Sequence, residues 1–150
     1  MTFIDEHSNW VTIYLLKQQY EVAGCFLQFG KYAERQTGRK IRIWRSDRGD
    51  EYLSNTLTSY FKHQGRVHEL TAAYNPHQNG IAQRFNRTAL DMVRSMMQHF
   101  GVPNWFWAEA LSTAVYIRNR VTSRALPSDR TPHHISHSQA PSLIHRGVFG

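Results

Sequence analysis

The chain is poor in cysteine: Cys25 is the only one in 150 residues. No internal disulfide can form, and a cysteine-built zinc framework is excluded. Cys25 falls on the apolar face of a helical pattern, where it reads as a packed thiol rather than a reactive one. Long hydrophobic runs are missing too, since none approaches the roughly 18–20 residues of a membrane span. The polar N-terminus does not resemble a secretory signal. These absences predict an intracellular protein, of the nucleus or cytoplasm, with no membrane partner. Lysine is scarce, so arginine supplies most of the formal net charge of +7. The planar guanidinium fork matches phosphate geometry, and the bias therefore points toward nucleic acid. With 41% hydrophobic residues the chain is too apolar for general disorder. Its length suits one ordinary domain with a sizeable core.

Periodicity gives the organisation. Thr2–Ile4 and Trp10–Leu16 read as strands joined by the polar turn Asp5–Asn9, which makes a hairpin. Val22, Phe26, Phe29 and Ala33 recur at helical spacing, and Gly38 follows as a stop. A strand is predicted over 41–46. Leu57 and Phe61 mark a short helix that Ser54 caps and Gly65 ends, and Val67–Leu70 reads as another strand. From Ile81, the positions Ala82, Phe85, Ala89, Val93, Met96 and Phe100 describe a helix of about five turns at roughly 3.6 residues per turn. A further helix fits Trp105–Arg120, entered through Pro103 and Asn104. From 121 to 150, Pro, Ser, Thr and His accumulate without a clear period, predicting an extended or poorly ordered tail. The order is that of an α/β fold with a mixed sheet.

Two dense local signatures stand out. Arg45-Ser46-Asp47-Arg48-Gly49-Asp50-Glu51-Tyr52 follows the predicted strand and leaves Asp47 at its tip. Asn75-Pro76-His77-Gln78-Asn79-Gly80-Ile81-Ala82-Gln83-Arg84-Phe85-Asn86-Arg87-Thr88 is a breaker-rich loop running into a helix. Thirty-five residues, 48–82, lie between Asp47 and Gln83. Along the helix, Arg84, Arg87, Asp91 and Arg94 recur at three- and four-residue spacing and share one face. The helix N-terminus offers free N–H groups to phosphate, and Asn79 and Gly80 give the loop a tight turn that exposes backbone. Asn79, Gly80, Arg84, Arg87 and Arg94 are accordingly the candidate nucleic-acid contacts. His133, His134 and His137 sit in the tail with no cysteine or carboxylate set nearby, and read as solvated rather than metal-binding. Of Trp105, Phe106 and Trp107, at least two read as core.

These signatures resemble the catalytic core of copia-type retrotransposon integrases, in the ribonuclease H-like superfamily. Phe3-Ile4-Asp5-Glu6-His7-Ser8, His68-Glu69-Leu70-Thr71-Ala72, Phe106-Trp107-Ala108-Glu109-Ala110 and Val148-Phe149-Gly150 match in order and spacing, so the resemblance covers almost the whole chain. It implies a ribonuclease H-like mixed sheet flanked by helices, with a partial core over 1–120 and the tail over 121–150. In that fold the central strand comes first and precedes the hairpin. The chain is therefore expected to lack it, to be truncated at its N-terminus, and to be marginally stable alone, because unpaired strand edges must find other partners.

The resemblance also implies a metal-dependent polynucleotidyl transferase. Such enzymes hold two Mg²⁺ or Mn²⁺ ions about 3.5–4 Å apart, and hard cations call for carboxylate oxygens. The implied ligands are an aspartate on the first strand, Asp47, and a glutamate at the position of Gln83. Gln83 offers a carbonyl oxygen without net charge, and Asp5 matches the hairpin turn rather than the first strand. Arg48 and Asp50 replace the family's asparagine and glycine. A cation 4 Å from a metal ligand would oppose metal by about 1–4 kcal/mol, according to the local dielectric. Only Asp47 remains of three carboxylates. The expected protein is a retrotransposon-derived integrase core fragment whose parent activity is DNA integration by strand transfer, inactive as it stands. The alternatives are a non-catalytic nucleic-acid-binding module and a fragment that assembles with itself or with intact integrases.

Overall fold

The computed structural model of the protein describes residues 1–71, 80–123, 126–127 and 130–142. Its elements are β1 (Thr2–Ile4), β2 (Val11–Ile13), α1 (Val22–Thr37), β3 (Ile43–Ser46), α2 (Asn55–His63), β4 (Val67–Leu70), α3 (Gly80–Phe100), α4 (Trp107–Arg120) and α5 (Pro132–His137), with short 3-10 turns at Gln19–Glu21, Asp50–Tyr52 and Asn104–Phe106. The chain forms two compact units: Met1 with Tyr14–Ile81, and Thr2–Ile13 with Ala82–Gly150.

In the first unit, α1 buries Val22, Cys25, Phe26 and Gly30 on one face. It stops at Gly38, which adopts φ 64° and donates its N–H to Glu34 O at 2.9 Å. Such a left-handed C-terminal residue costs glycine nothing. Ser54 caps α2 by accepting from Leu57 N–H, and this helix contributes fully buried Leu57 and buried Phe61. β3 and β4 pair in parallel, Trp44 opposite His68 and Arg45 opposite Glu69. Alternation puts Trp44 and His68 on the helix-covered face, where Trp44 meets Phe26 edge-on (centroids 4.9 Å) and His68 lies 4.7 Å from Phe61. The opposite positions Ile43, Arg45 and Val67 are exposed.

An ion pair fixes the helices of this unit to the sheet. Arg66 is 6% exposed and reaches Glu34 at 2.8 Å, while its guanidinium bonds the Tyr60 hydroxyl and lies over that ring. Glu34 also accepts from Ile41 N–H at 2.9 Å. Gly30 makes this approach possible, because a Cβ there would sit 3.0 Å from the Tyr60 hydroxyl and 3.2 Å from Arg66 Nη1.

The second unit is built on the antiparallel hairpin β1–β2, with Phe3 opposite Thr12. Its turn is closed by Asp5, whose carboxylate accepts from both the N–H and the hydroxyl of Ser8, and by Asn9 at φ 55°. Val11 packs with Phe85 and Ala89 of α3 and Val115 of α4, and Val93 packs with Ala110 and Ala114. Buried Asn119 of α4 joins helix to hairpin: its Oδ1 accepts from Val11 N–H at 2.9 Å and its Nδ2 donates to Val11 O at 2.8 Å.

The elements follow the predicted order, but strand pairing differs from the single mixed sheet. Among the described residues the strands make two separate two-stranded ladders, and none supplies a strand pairing with both. The second hairpin strand is three residues, Val11–Ile13, rather than seven, and just beyond it Tyr14 exchanges backbone hydrogen bonds with Met1 at 2.8 and 2.7 Å. Within 121–150, Pro132–His137 forms α5, capped by Thr131 and opened by buried Pro132. No helix is long and apolar enough to cross a membrane among the described residues.

Candidate functional site

β3 delivers Asp47 to its C-terminal end as the sequence predicts, and the residue is exposed there. The loop behind it is tied internally. Asp47 Oδ1 accepts from Gly49 N–H at 3.2 Å, a turn that holds the side chain against its own backbone. Ser46 donates its hydroxyl proton to Asp47 O at 2.9 Å and lies 2.8 Å from His68 Nε2. A hydroxyl has one proton to give, so the His68 ring nitrogen is the donor in the second contact. Burial pushes the His68 pKa below the ordinary imidazole value, which keeps the ring neutral in this pairing. Arg48 turns away from Asp47, its Nε donating to Thr71 O at 3.2 Å.

The neighbouring acids are engaged differently. Glu51 accepts from Gln19 Nε2 at 2.9 Å and folds over Gly49, where a Cβ would stand 2.8 Å from its carboxylate. Tyr52 is pushed above the usual phenol range, first by burial and then by the charges of Asp47 and Glu51. Asp50 is exposed. Among the described residues no three His, Cys, Asp or Glu side chains come together in a metal-sized group.

The other candidates lie on α3, in the second unit. Its buried stripe Phe85, Ala89 and Val93 turns Gln83, Arg84, Arg87 and Arg94 outward, and all four are exposed. Asp91 and Arg94 stand 3.5 Å apart with both side chains mostly in solvent, a geometry worth little in water. Arg94 is therefore still available to a phosphate. Gly80 opens the helix, half-buried, while Asn79, His77 and Gln78 lie outside the described residues.

No protein-family model matches the chain. It is 39% identical over its whole length to the retrovirus-related Pol polyprotein from transposon TNT 1-94 of Nicotiana tabacum, of which it covers 11%, and 29% identical over 99% of its length to that from transposon RE2 of Arabidopsis thaliana, of which it covers 10%. The chain thus spans about a tenth of the length of these relatives. Among solved structures it resembles the HTLV-2 integrase catalytic core domain in complex with magnesium (TM-score 0.66, 18% identity, 91% of this chain and 82% of that one). It resembles the catalytic core domain of BIV integrase similarly (TM-score 0.67, 22% identity, 91% and 84%).

The chain is thus similar over its whole length to a segment of retrotransposon Pol polyproteins, and its fold is that of retroviral integrase catalytic cores. Its α/β class is that of the integrase catalytic cores it resembles, and its relatives are copia-type Pol polyproteins.

The donor set described at these positions does not fit a pair of divalent ions. Of the two implied ligand positions that fall within this sequence, Asp47 carries a carboxylate. Gln83 is an uncharged amide, and the Asp5 carboxylate is consumed by Ser8 in the hairpin turn. Three features escaped the sequence reading: the Ser46–His68 contact, the Asn119–Val11 pairing, and the packing of His133 and His137 on Trp10. The first follows from β3–β4 register, which only the fold reveals.

Proposed function

We propose that this integrase core binds duplex DNA through the exposed face of α3 and does not itself catalyse strand transfer. Its parent activity is insertion of element DNA, carried out in the nucleus or cytoplasm, with 1–120 as the core and 121–150 as an appendage. One observation carries the reading: Gln83, a neutral amide where the resemblance implies a glutamate, shares the solvent side of α3 with Arg84, Arg87 and Arg94. Losing a carboxylate there removes a metal ligand and also a charge that repels phosphate. Gly80 and Asn79 belong to the same contact, as backbone donors at the helix start. Mg²⁺ or Mn²⁺, expected from the magnesium-bound HTLV-2 core, is not retained on this reading.

The test is a duplex-DNA titration between 50 and 200 mM salt alongside a strand-transfer and disintegration assay in Mg²⁺ and Mn²⁺. Affinity that falls with salt, with a slope set by the number of neutralised phosphates, and no strand transfer are expected. Metal-dependent product from the purified chain would overturn the loss of catalysis, and absence of binding at low salt would overturn the DNA role.

A second reading, assembly with itself or with an intact integrase, is favoured by the exposed aromatics Trp105 (74%), Phe106 (40%) and Trp107 (50%). It also draws on the HTLV-2 core, solved in trimeric and dimeric forms. Co-purification with a full-length relative, lost in Trp105→Ala with Trp107→Ala, separates it from the first.

A further inference from the structure

We propose that Lys31, Arg35, Arg39, Lys40 and Arg42, at the end of α1 and in its connection to β3, form a second nucleic-acid surface that grips the phosphodiester backbone without reading sequence. The patch lies in the first unit, shares no residue with the α3 face, and does not rest on that reading. Residues 31–42 hold five Lys or Arg and a single acid, Glu34, a net +4 where the whole chain carries +7. By the same measure α3, with three arginines and Asp91, carries a net +2. The positive charge of the chain is therefore concentrated more strongly here than on α3.

The one acid does not neutralise the patch. Glu34 Oε1 accepts from Arg66 at 2.8 Å and from Ile41 N–H at 2.9 Å, so its charge is already matched inside the unit. The five cations are all exposed, and among the described residues none of them has an ion-pair partner. Lys31 and Arg35 stand one helical turn apart, a like-charge spacing that works against the helix. The helix dipole favours Arg35, the one cation in the last turn of α1. That effect fades within a turn, so it gives no reason for Lys31.

The connection that presents these side chains is tied down by its own backbone. Gly38 donates to Glu34 O, Arg39 N–H bonds Thr37 Oγ1 at 3.2 Å, Ile41 N–H bonds the Glu34 carboxylate, and Arg42 O accepts from Val67 N–H at 2.8 Å. The fold thus uses the main chain of Arg39 and Arg42 and leaves their guanidinium groups in solvent. Three of the five cations are arginines, whose planar fork takes two oxygens of one phosphate. A receptor that reads basic residues as an extended peptide would have to break these ties. A chain of regularly spaced phosphates needs only the array of charge, since its binding is a sum over contacts.

The experiment titrates a short DNA duplex, from about 50 to 200 mM salt, with the 150-residue chain carrying Arg84→Ala, Arg87→Ala and Arg94→Ala, which strips the α3 face. Residual, salt-dependent binding is expected. Adding Arg39→Ala, Lys40→Ala and Arg42→Ala should reduce the magnitude of the logarithmic salt slope by about 3 and weaken affinity about tenfold or more at low salt, with amide protection of α1 unchanged. Arg39→Lys with Arg42→Lys keeps the charge and should keep the slope. No residual binding in the α3 variant, or a slope indifferent to the second set of substitutions, overturns this surface and leaves the α3 reading standing. Undiminished binding in the α3 variant that the second set abolishes does the reverse. Affinity for anionic lipid vesicles that the second set removes, with the DNA slope unmoved, assigns the patch to a membrane surface and overturns the proposal.

Discussion

The two units treat the positions singled out by the resemblance unequally. The first holds Asp47 where a strand end delivers it, but the loop around that carboxylate is occupied with itself: Gly49 takes Oδ1, Ser46 takes the carbonyl, and Glu51 folds over the turn. The second has no acid at Gln83, yet Arg84, Arg87 and Arg94 of α3 are exposed, the last in only a solvent-exposed pairing with Asp91. Catalysis through metal needs every ligand within tenths of an ångström. Phosphate attraction tolerates loss of any one cation, because counterion release is a sum over contacts. A lineage relieved of selection for chemistry would lose the first property abruptly and the second gradually.

Five experiments test that contrast. Glu34→Ala strands the buried Arg66 guanidinium and should cost the first unit about 3 kcal/mol, read as lost amide protection in α1 and β4. A change below 1 kcal/mol would show that Tyr60 alone satisfies the arginine. Asn119→Ala leaves both backbone groups of Val11 unpaired and should destabilise the second unit by roughly 2–3 kcal/mol, seen as a lower urea midpoint monitored at α4. Arg84→Ala, Arg87→Ala and Arg94→Ala together should reduce the magnitude of the logarithmic salt slope of DNA binding by about 3 and weaken affinity roughly a hundredfold at low salt, while Asp47→Asn leaves both unchanged. The opposite outcome would move the DNA contact to the first unit.

A smaller effect is expected at His68. Its folded pKa is depressed by burial, so the stabilisation it contributes is complete above pH 6.5 and is lost as pH falls through the folded value. Comparing His68→Gln with the unsubstituted chain at pH 7.5 and 5.5 should show a weaker acid loss in the variant, and parallel losses would remove His68 from the account. Smallest of all, Gln83→Glu should produce no strand transfer in Mg²⁺ or Mn²⁺, since among the described residues no metal-sized group of ligands gathers around Asp47. Product formation would show that the contrast between the units is one substitution deep.

What the sequence disclosed was governed by range of interaction. The long α3 was readable because Phe85, Ala89 and Val93 repeat at the helical period over five turns. The stops at Gly38 and Gly65 and the cap at Ser54 were readable because each is a local backbone requirement. Asp47 at a strand tip needed only the preceding apolar run. Long-range pairings left no local trace. Asn119 in an amphipathic helix looks like any solvated amide, and its partner is 108 residues away. α5 is too short to display a period, so its histidines looked like a polar tail. Strand lengths were overestimated for a related reason: Tyr14–Leu16 has strand-forming side chains, but a strand ends where its ladder partner does.

The amide of Asn119 has a consequence for solubility. A residue in a strand points its N–H and C=O toward the same side, and Val11 gives both to one side chain. A passing extended peptide therefore finds no donor or acceptor at that point of the hairpin rim and cannot extend the ladder there. One buried amide from a helix thus guards against edge-to-edge aggregation, a task that surface strands more often leave to lysine or proline.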